Sequence, residues 1–265
     1  MRVHPILRPV LSALVLLLAT ASAEAAVKTK EVTYTHDGVK LKGFMAWDDA
    51  QKGKRPGVLV VHEWWGHNDY ARSRAQALAK MGYTALALDM YGDGKQASHP
   101  EDAGKFATSV LSNMDLAKGR FMAAQATLAK HPTVNGDKIA AIGYCFGGSV
   151  VLTMARLGLD LDAVASFHGG LQLPPRTAET VEARVMVAHG GADPFVKKEQ
   201  ITAFVGDMVE AKADLTFYSY AGVVHSFTNP GADAFGKKFS LPLKYDEDAD
   251  KKSWQALGRF LEQTF

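Results

Sequence analysis

Gly143-Tyr144-Cys145-Phe146-Gly147 holds the only cysteine of the 265-residue chain, at the end of an apolar run from Ile139 to Tyr144. The pentapeptide matches a nucleophile elbow with cysteine in place of serine. Such an elbow turns sharply from strand into helix, so small residues are needed on either side of the nucleophile. Gly143 and Gly147 supply that room, and Gly148 extends it. The sulfur would stand at a helix N-terminus, where free amides and the helix dipole favour a thiolate. The same five residues also suit a cysteine that is only small core filler.

Chain order bears on the choice, because acyl hydrolases built on this elbow take their partners in the order nucleophile, acid, histidine. "MVAHGGADPFV" places Asp193 just past a strand ending at His189, and "YAGVVHSF" places His225 just past a strand ending at Tyr220. Taken singly, Asp193 before Pro194 also reads as a turn or helix cap, and His225 as a surface loop residue. Three matches in the right order at successive strand ends favour acyl transfer by Cys145, His225 and Asp193. His168 precedes the acid and His189 lies very close to Asp193, so His225 is the expected base. Asp89, upstream of the nucleophile, reads as a structural or pocket residue. "VVHEWWGHNDYAR" follows another buried strand, at the place where elbow hydrolases donate one oxyanion-hole amide. The backbone N–H groups of Trp64 and Phe146 are therefore the expected oxyanion donors, each stabilising the tetrahedral intermediate by roughly 3 kcal/mol. Trp64 and Trp65 either line the pocket or pack.

These groups need a scaffold that brings strand ends together. Glu31 to Tyr34 and Lys40 to Trp47 alternate as a hairpin with Asp37-Gly38 at its turn. Six later runs are apolar at nearly every position: Val58 to His62, Thr84 to Leu88, Ile139 to Tyr144, Ala163 to His168, Val185 to His189 and Leu215 to Tyr220. Such runs are strands covered on both faces, as in a parallel sheet. Between them lie helical segments at Tyr70 to Met81, Asp115 to Lys130, Phe146 to Leu157, Lys197 to Ala211 and about Ala249 to Glu262. Alternating strand and helix give one α/β domain. Catalytic groups in such sheets gather at the carboxyl ends of the strands. Residues 229–254, rich in glycine, proline and mixed charge, read as a long ordered loop that is either a pocket wall or solvated surface.

Arg2 and Arg8 precede an apolar run from Val10 to Ala19 that ends in Ala21-Ser22-Ala23, the pattern of a secretory signal peptide. Residues 1–23, or 1–25 by the alternative cut after Ala25, are expected to be removed, leaving a periplasmic or secreted domain from residue 24 to 265. Loss of Arg2 and Arg8 leaves 28 basic against 28 acidic residues. That balance gives no electrostatic case for nucleic acid or anionic membrane. No apolar stretch reaches the roughly 18 residues of a spanning helix. A lone cysteine forms no intrachain disulfide and has no resolving partner, which disfavours a thiol redox protein.

The motifs "HEWWG", "LDMYG", "GYCFGG", "HGGADPFV" and "HSF" resemble the dienelactone hydrolase family, spread over nearly the whole expected mature chain. The resemblance implies the α/β-hydrolase fold, with a mostly parallel central sheet, an N-terminal antiparallel hairpin and helices on both faces. It makes Cys145 the nucleophile, His225 the base and Asp193 the residue that orients the imidazole, with no cofactor or metal. Glu63 falls on the family's extra glutamate, which interacts with the cysteine and helps form the thiolate. Dienelactone hydrolase proper anchors its substrate's carboxylate with two arginines, and the corresponding positions here are Asp93 and Asn229. Each lost charge-assisted partner is worth roughly 1.5 to 3 kcal/mol. The expected substrate is therefore a neutral small ester or lactone, aromatic if Trp64, Trp65, Tyr91 and Phe146 line the pocket. The alternative is a non-catalytic relative that binds a small apolar ligand. The sequence leaves monomer or weak oligomer open.

Overall fold

The computed structural model describes residues 27–265, so the expected leader and both of its cleavage points lie outside the described residues. Asp37 and Gly38 both take positive φ, 47° and 76°, the handedness that lets a two-residue turn follow the twist of its strands. They join β1 (Val27–His36) to β2 (Val39–Asp48) in an antiparallel ladder that begins at His36↔Val39.

Six further strands complete the sheet: β3 (Arg55–Val61), β4 (Thr84–Leu88), β5 (Val134–Tyr144), β6 (Ala163–Phe167), β7 (Arg184–Gly190) and β8 (Leu215–Tyr220). Their spatial order is β1-β2-β4-β3-β5-β6-β7-β8, antiparallel up to the β2–β4 contact and parallel beyond it. The continuous apolar runs have a physical reason, because successive residues of each strand enter two different cores. Leu59, Val61, Leu86, Leu88, Ala141 and Val164 join one, whereas Val58, Val60, Ala85, Ala87, Ala140 and Ile142 join the other. On the first side pack α3 (Met114–Ala129), α4 (Phe146–Arg156) and α5 (Lys198–Glu210), and on the second α1 (Asp69–Lys80) and α7 (Glu247–Glu262). β3 stands between β4 and β5, so the chain leaves it toward one side and later returns to the other. The carboxyl ends of β3 and β5 thus flank the switch point where open α/β sheets form their crevice.

Two helices depart from the sequence reading. α2 (Pro100–Leu111) carries Pro100 in its first turn, followed by Glu101 and Asp102, start signals that were present in the sequence. α6 (Ala232–Phe239) corrects the reading of residues 229–254 as one long loop. It has no side-chain cap, and its aromatic face is held by Trp65, which stacks on Phe235 at 4.4 Å.

Asp89, just past β4, is fully buried and accepts backbone N–H bonds from Lys42, Tyr91, Gly92 and Gly94 at 2.8 to 3.1 Å. Its role is to hold the Tyr91–Gly94 turn against β2. Asp89→Ala orphans several buried donors and is expected to destabilise the protein by about 3 kcal/mol in denaturant unfolding. A change within about 0.5 kcal/mol would contradict this reading.

Candidate active site

β5 runs into α4 through Cys145, whose φ of 53° and ψ of −115° are strained for a residue with a side chain. The strain comes from close backbone approach. A Cβ on Gly143 would stand 2.0 Å from Gly147 O, and one on Gly147 would stand 2.3 Å from Val61 O. Only glycine fits at either place. The turn presents the partly exposed sulfur at the N-terminus of α4.

His225, in the loop after β8, faces that sulfur across the same cavity. Its Nδ1–H donates to Asp193 Oδ2 at 2.7 Å, leaving Nε2 for the thiol side. Asp193 follows β7, is 5% exposed, and also accepts the Phe195 N–H through Oδ1 at 2.9 Å. Burial pushes the His225 imidazolium down, but the Cys145 and Asp193 charges and hydrogen bonds outweigh it and lift His225 to about 10. Trp64, after β3, and Phe146, the first residue of α4, also line the cavity. Their N–H groups donate to no protein acceptor among the described residues.

The cavity, about 230 Å³, is further walled by Ala107 and Leu111 of α2, Ser149, Gly170, Phe195 and Leu243. Its surface is mostly apolar, and among the described residues its lining holds no lysine, arginine or carboxylate. Among the described residues, no group of three or more His, Cys, Asp or Glu side chains is arranged to hold a metal.

A family model described as "Dienelactone hydrolase family" matches residues 41–265. The chain belongs to the dienelactone hydrolase family. Its relatives include protein usf of Aquifex pyrophilus, 30% identical over 75% of this chain and 86% of that protein. A putative carboxymethylenebutenolidase of Aquifex aeolicus is 29% identical over the same shares. A solved dienelactone hydrolase-like promiscuous phosphotriesterase from metagenomic libraries is 36% identical, covers 90% of this chain and 99% of its own, and superposes with a TM-score of 0.85. The protein is thus a hydrolase with the α/β-hydrolase fold.

Within this dienelactone hydrolase frame, several expected pocket residues stand elsewhere. Asp93 is exposed, has a φ of 57°, and donates its N–H to Lys40 O, so it belongs to a surface turn. Asn229 lies outside the cysteine cavity, where its Nδ2 donates to Glu63 Oε2 at 2.6 Å. Trp65 is 2% exposed and packs against Phe235, and Tyr91 is buried behind Phe146 with its hydroxyl donating to Trp64 O. Of the two indoles, Trp64 alone lines the cavity. Glu63 is buried, and Ser226 Oγ donates to its Oε1 at 3.0 Å, so both of its oxygens are turned to the base loop. Burial raises the Glu63 pKa, while the donors Asn229 and Ser226 and the charges of His225 and Arg74 oppose that rise.

Ser226, Leu243, Phe195 and α2 were missed as site residues. Leu243 is reached because Lys244 N–H bonds to His225 O, bringing the 229–254 segment beside the base. Part of that segment is therefore a pocket wall. Cys145→Ser removes the sulfur that helps raise the His225 pKa and puts a hydroxyl in its place. In an NMR titration of the imidazole Cε1–H, the His225 pKa is expected to fall from about 10 toward the ordinary value of 6.5. Retention near 10 would contradict the assignment of Cys145 as its partner.

Proposed function

We propose that the protein is an exported hydrolase of small neutral carboxylic esters and lactones, working through a Cys145 thioester. The observation that carries the substrate class is the apolar cavity around Cys145 and His225, whose lining holds no lysine or arginine to pair with a substrate carboxylate. Both positions that would hold a substrate carboxylate in the family are otherwise engaged, Asp93 in a surface turn and Asn229 on Glu63. Export rests on residues 1–23 of the sequence.

In the first step the Cys145 thiolate attacks the substrate carbonyl carbon, forming an S–C bond while the carbonyl oxygen becomes an oxyanion. The N–H groups of Trp64 and Phe146 receive that charge, in a cavity dry enough to strengthen both bonds. Collapse breaks the C–O bond, and the His225 imidazolium gives its proton to the leaving alcohol. Neutral His225 then takes a proton from water, whose oxygen attacks the thioester. The second collapse releases the acid and restores the thiolate–imidazolium pair. Asp193 holds the imidazole in one orientation throughout. Glu63, engaged by Ser226 and Asn229, serves to hold the loop that carries His225 and not as the acceptor of the thiol proton.

A second substrate class is neutral phosphotriesters, which would set a tetrahedral phosphorus against the same two N–H groups. The likeness to a promiscuous phosphotriesterase at 36% identity supports it.

The test is competitive hydrolysis of a carboxylate-bearing lactone and its methyl ester by the parent and by Cys145→Ala. The methyl ester is expected to be preferred by at least about 10-fold, since one lost charge-assisted bond already amounts to that factor. Cys145→Ala is expected to be inactive on both. Preference for the anion would overturn the substrate class, and turnover by Cys145→Ala would overturn the nucleophile.

A further inference from the structure

One buried imidazole touches the nucleophile through its backbone and stands outside the cavity. His168 follows β6, is fully buried, and has a φ of 41°. The Cys145 N–H, bonded to Phe167 O at 3.0 Å, also faces His168 Nδ1 at 3.1 Å. A donor facing Nδ1 fixes the tautomer, so the ring proton is on Nε2 and is donated to Thr228 Oγ1 at 2.8 Å. Thr228 in turn meets Tyr70 Oη at 2.6 Å, which ties it to α1.

Thr228 lies three residues after His225 on the same loop, and the His168 ring packs edge to face against His225 with centroids 5.2 Å apart. The rigid ring therefore spans from the turn that carries the sulfur to the loop that carries the base. Its opposite edges supply a second acceptor for the Cys145 N–H, beside Phe167 O, and a donor for Thr228. A glutamine or asparagine presents its oxygen and nitrogen at one end and does not reach both. Burial, reinforced by the nearby His225 charge, keeps the ring neutral and so preserves that polarity. The strained φ values of Cys145 and His168 persist only where surrounding contacts over-determine them.

We infer that His168 is a positioning residue that sets the register between nucleophile and base, with Thr228 as its second anchor. The inference rests on the Cys145–His225 reading of the site and deepens it. Its contribution is the separation and aim of two groups that react only when aligned, for which a displacement near 1 Å costs about 100-fold.

The test compares Thr228→Val, Thr228→Ser and His168→Leu with the parent, each checked for native circular dichroism. Two quantities are read: the rate of Cys145 alkylation by iodoacetamide, and kcat and KM on a small neutral ester. Thr228→Val keeps the residue's shape but leaves Nε2–H without an acceptor. It is expected to lower the alkylation rate and kcat together by about 10-fold while KM stays within about twofold. Thr228→Ser is expected to restore both, and a folded His168→Leu to lose at least as much as Thr228→Val. Alkylation within about twofold of the parent in folded Thr228→Val, or a loss that Thr228→Ser does not reverse, overturns the inference. A parent that alkylates at Cys145 but turns over no ester would instead remove the hydrolase reading, because alkylation reads the register without needing turnover.

Discussion

The close approach of the first turn of α4 to the ends of β3 and β5 is the constraint on which the site depends. Gly143 and Gly147 admit no side chain there, and Cys145 is left with a positive φ between them. Three consequences follow from one turn. The sulfur stands at a helix N-terminus, the Phe146 N–H is left free beside it, and the β3 end carrying Glu63 and Trp64 is drawn to the same point. The parallel sheet then delivers Asp193 and His225 from β7 and β8 at the matching ends.

Charge is distributed around that turn by burial. Asp193 and Glu63 are both buried carboxylates, and an unpaired buried charge is costly. Asp193 is matched by His225 and the Phe195 N–H, and Glu63 by the neutral donors Ser226 and Asn229. Neither carboxylate lines the cavity, so the space around Cys145 and His225 keeps a mostly apolar lining. In the proposed function a neutral acyl group suits such a lining, whereas an anionic one enters without a lysine or arginine partner.

Much of this was legible in the sequence because the governing signals are local. Residue types at strand ends and their chain order located Cys145, Asp193 and His225, and continuous apolar runs located the parallel strands. The Asp37-Gly38 turn was readable for the same reason. What was not legible depends on contacts distant in sequence. The motif positions of Asn229 and Asp93 point to the pocket. Their actual partners, Glu63 across 166 residues and the Lys40 carbonyl, belong to the folded chain. Trp65 and α6 stabilise each other, so neither the helix nor the burial of the indole could be read from its own segment. α2 is the exception, since Pro100, Glu101 and Asp102 are local start signals for it.

Proposed acyl transfer proceeds through the Cys145 sulfur. It is tested most directly by acid-quenching the protein within the first turnover of p-nitrophenyl acetate and locating the acetyl group by peptide mass spectrometry. A hydroxylamine-labile acetyl group is expected on the peptide containing Cys145 and is expected to be absent from Cys145→Ala. An acetyl group on any other residue, or turnover with no acyl-enzyme formed on the sulfur, would contradict it.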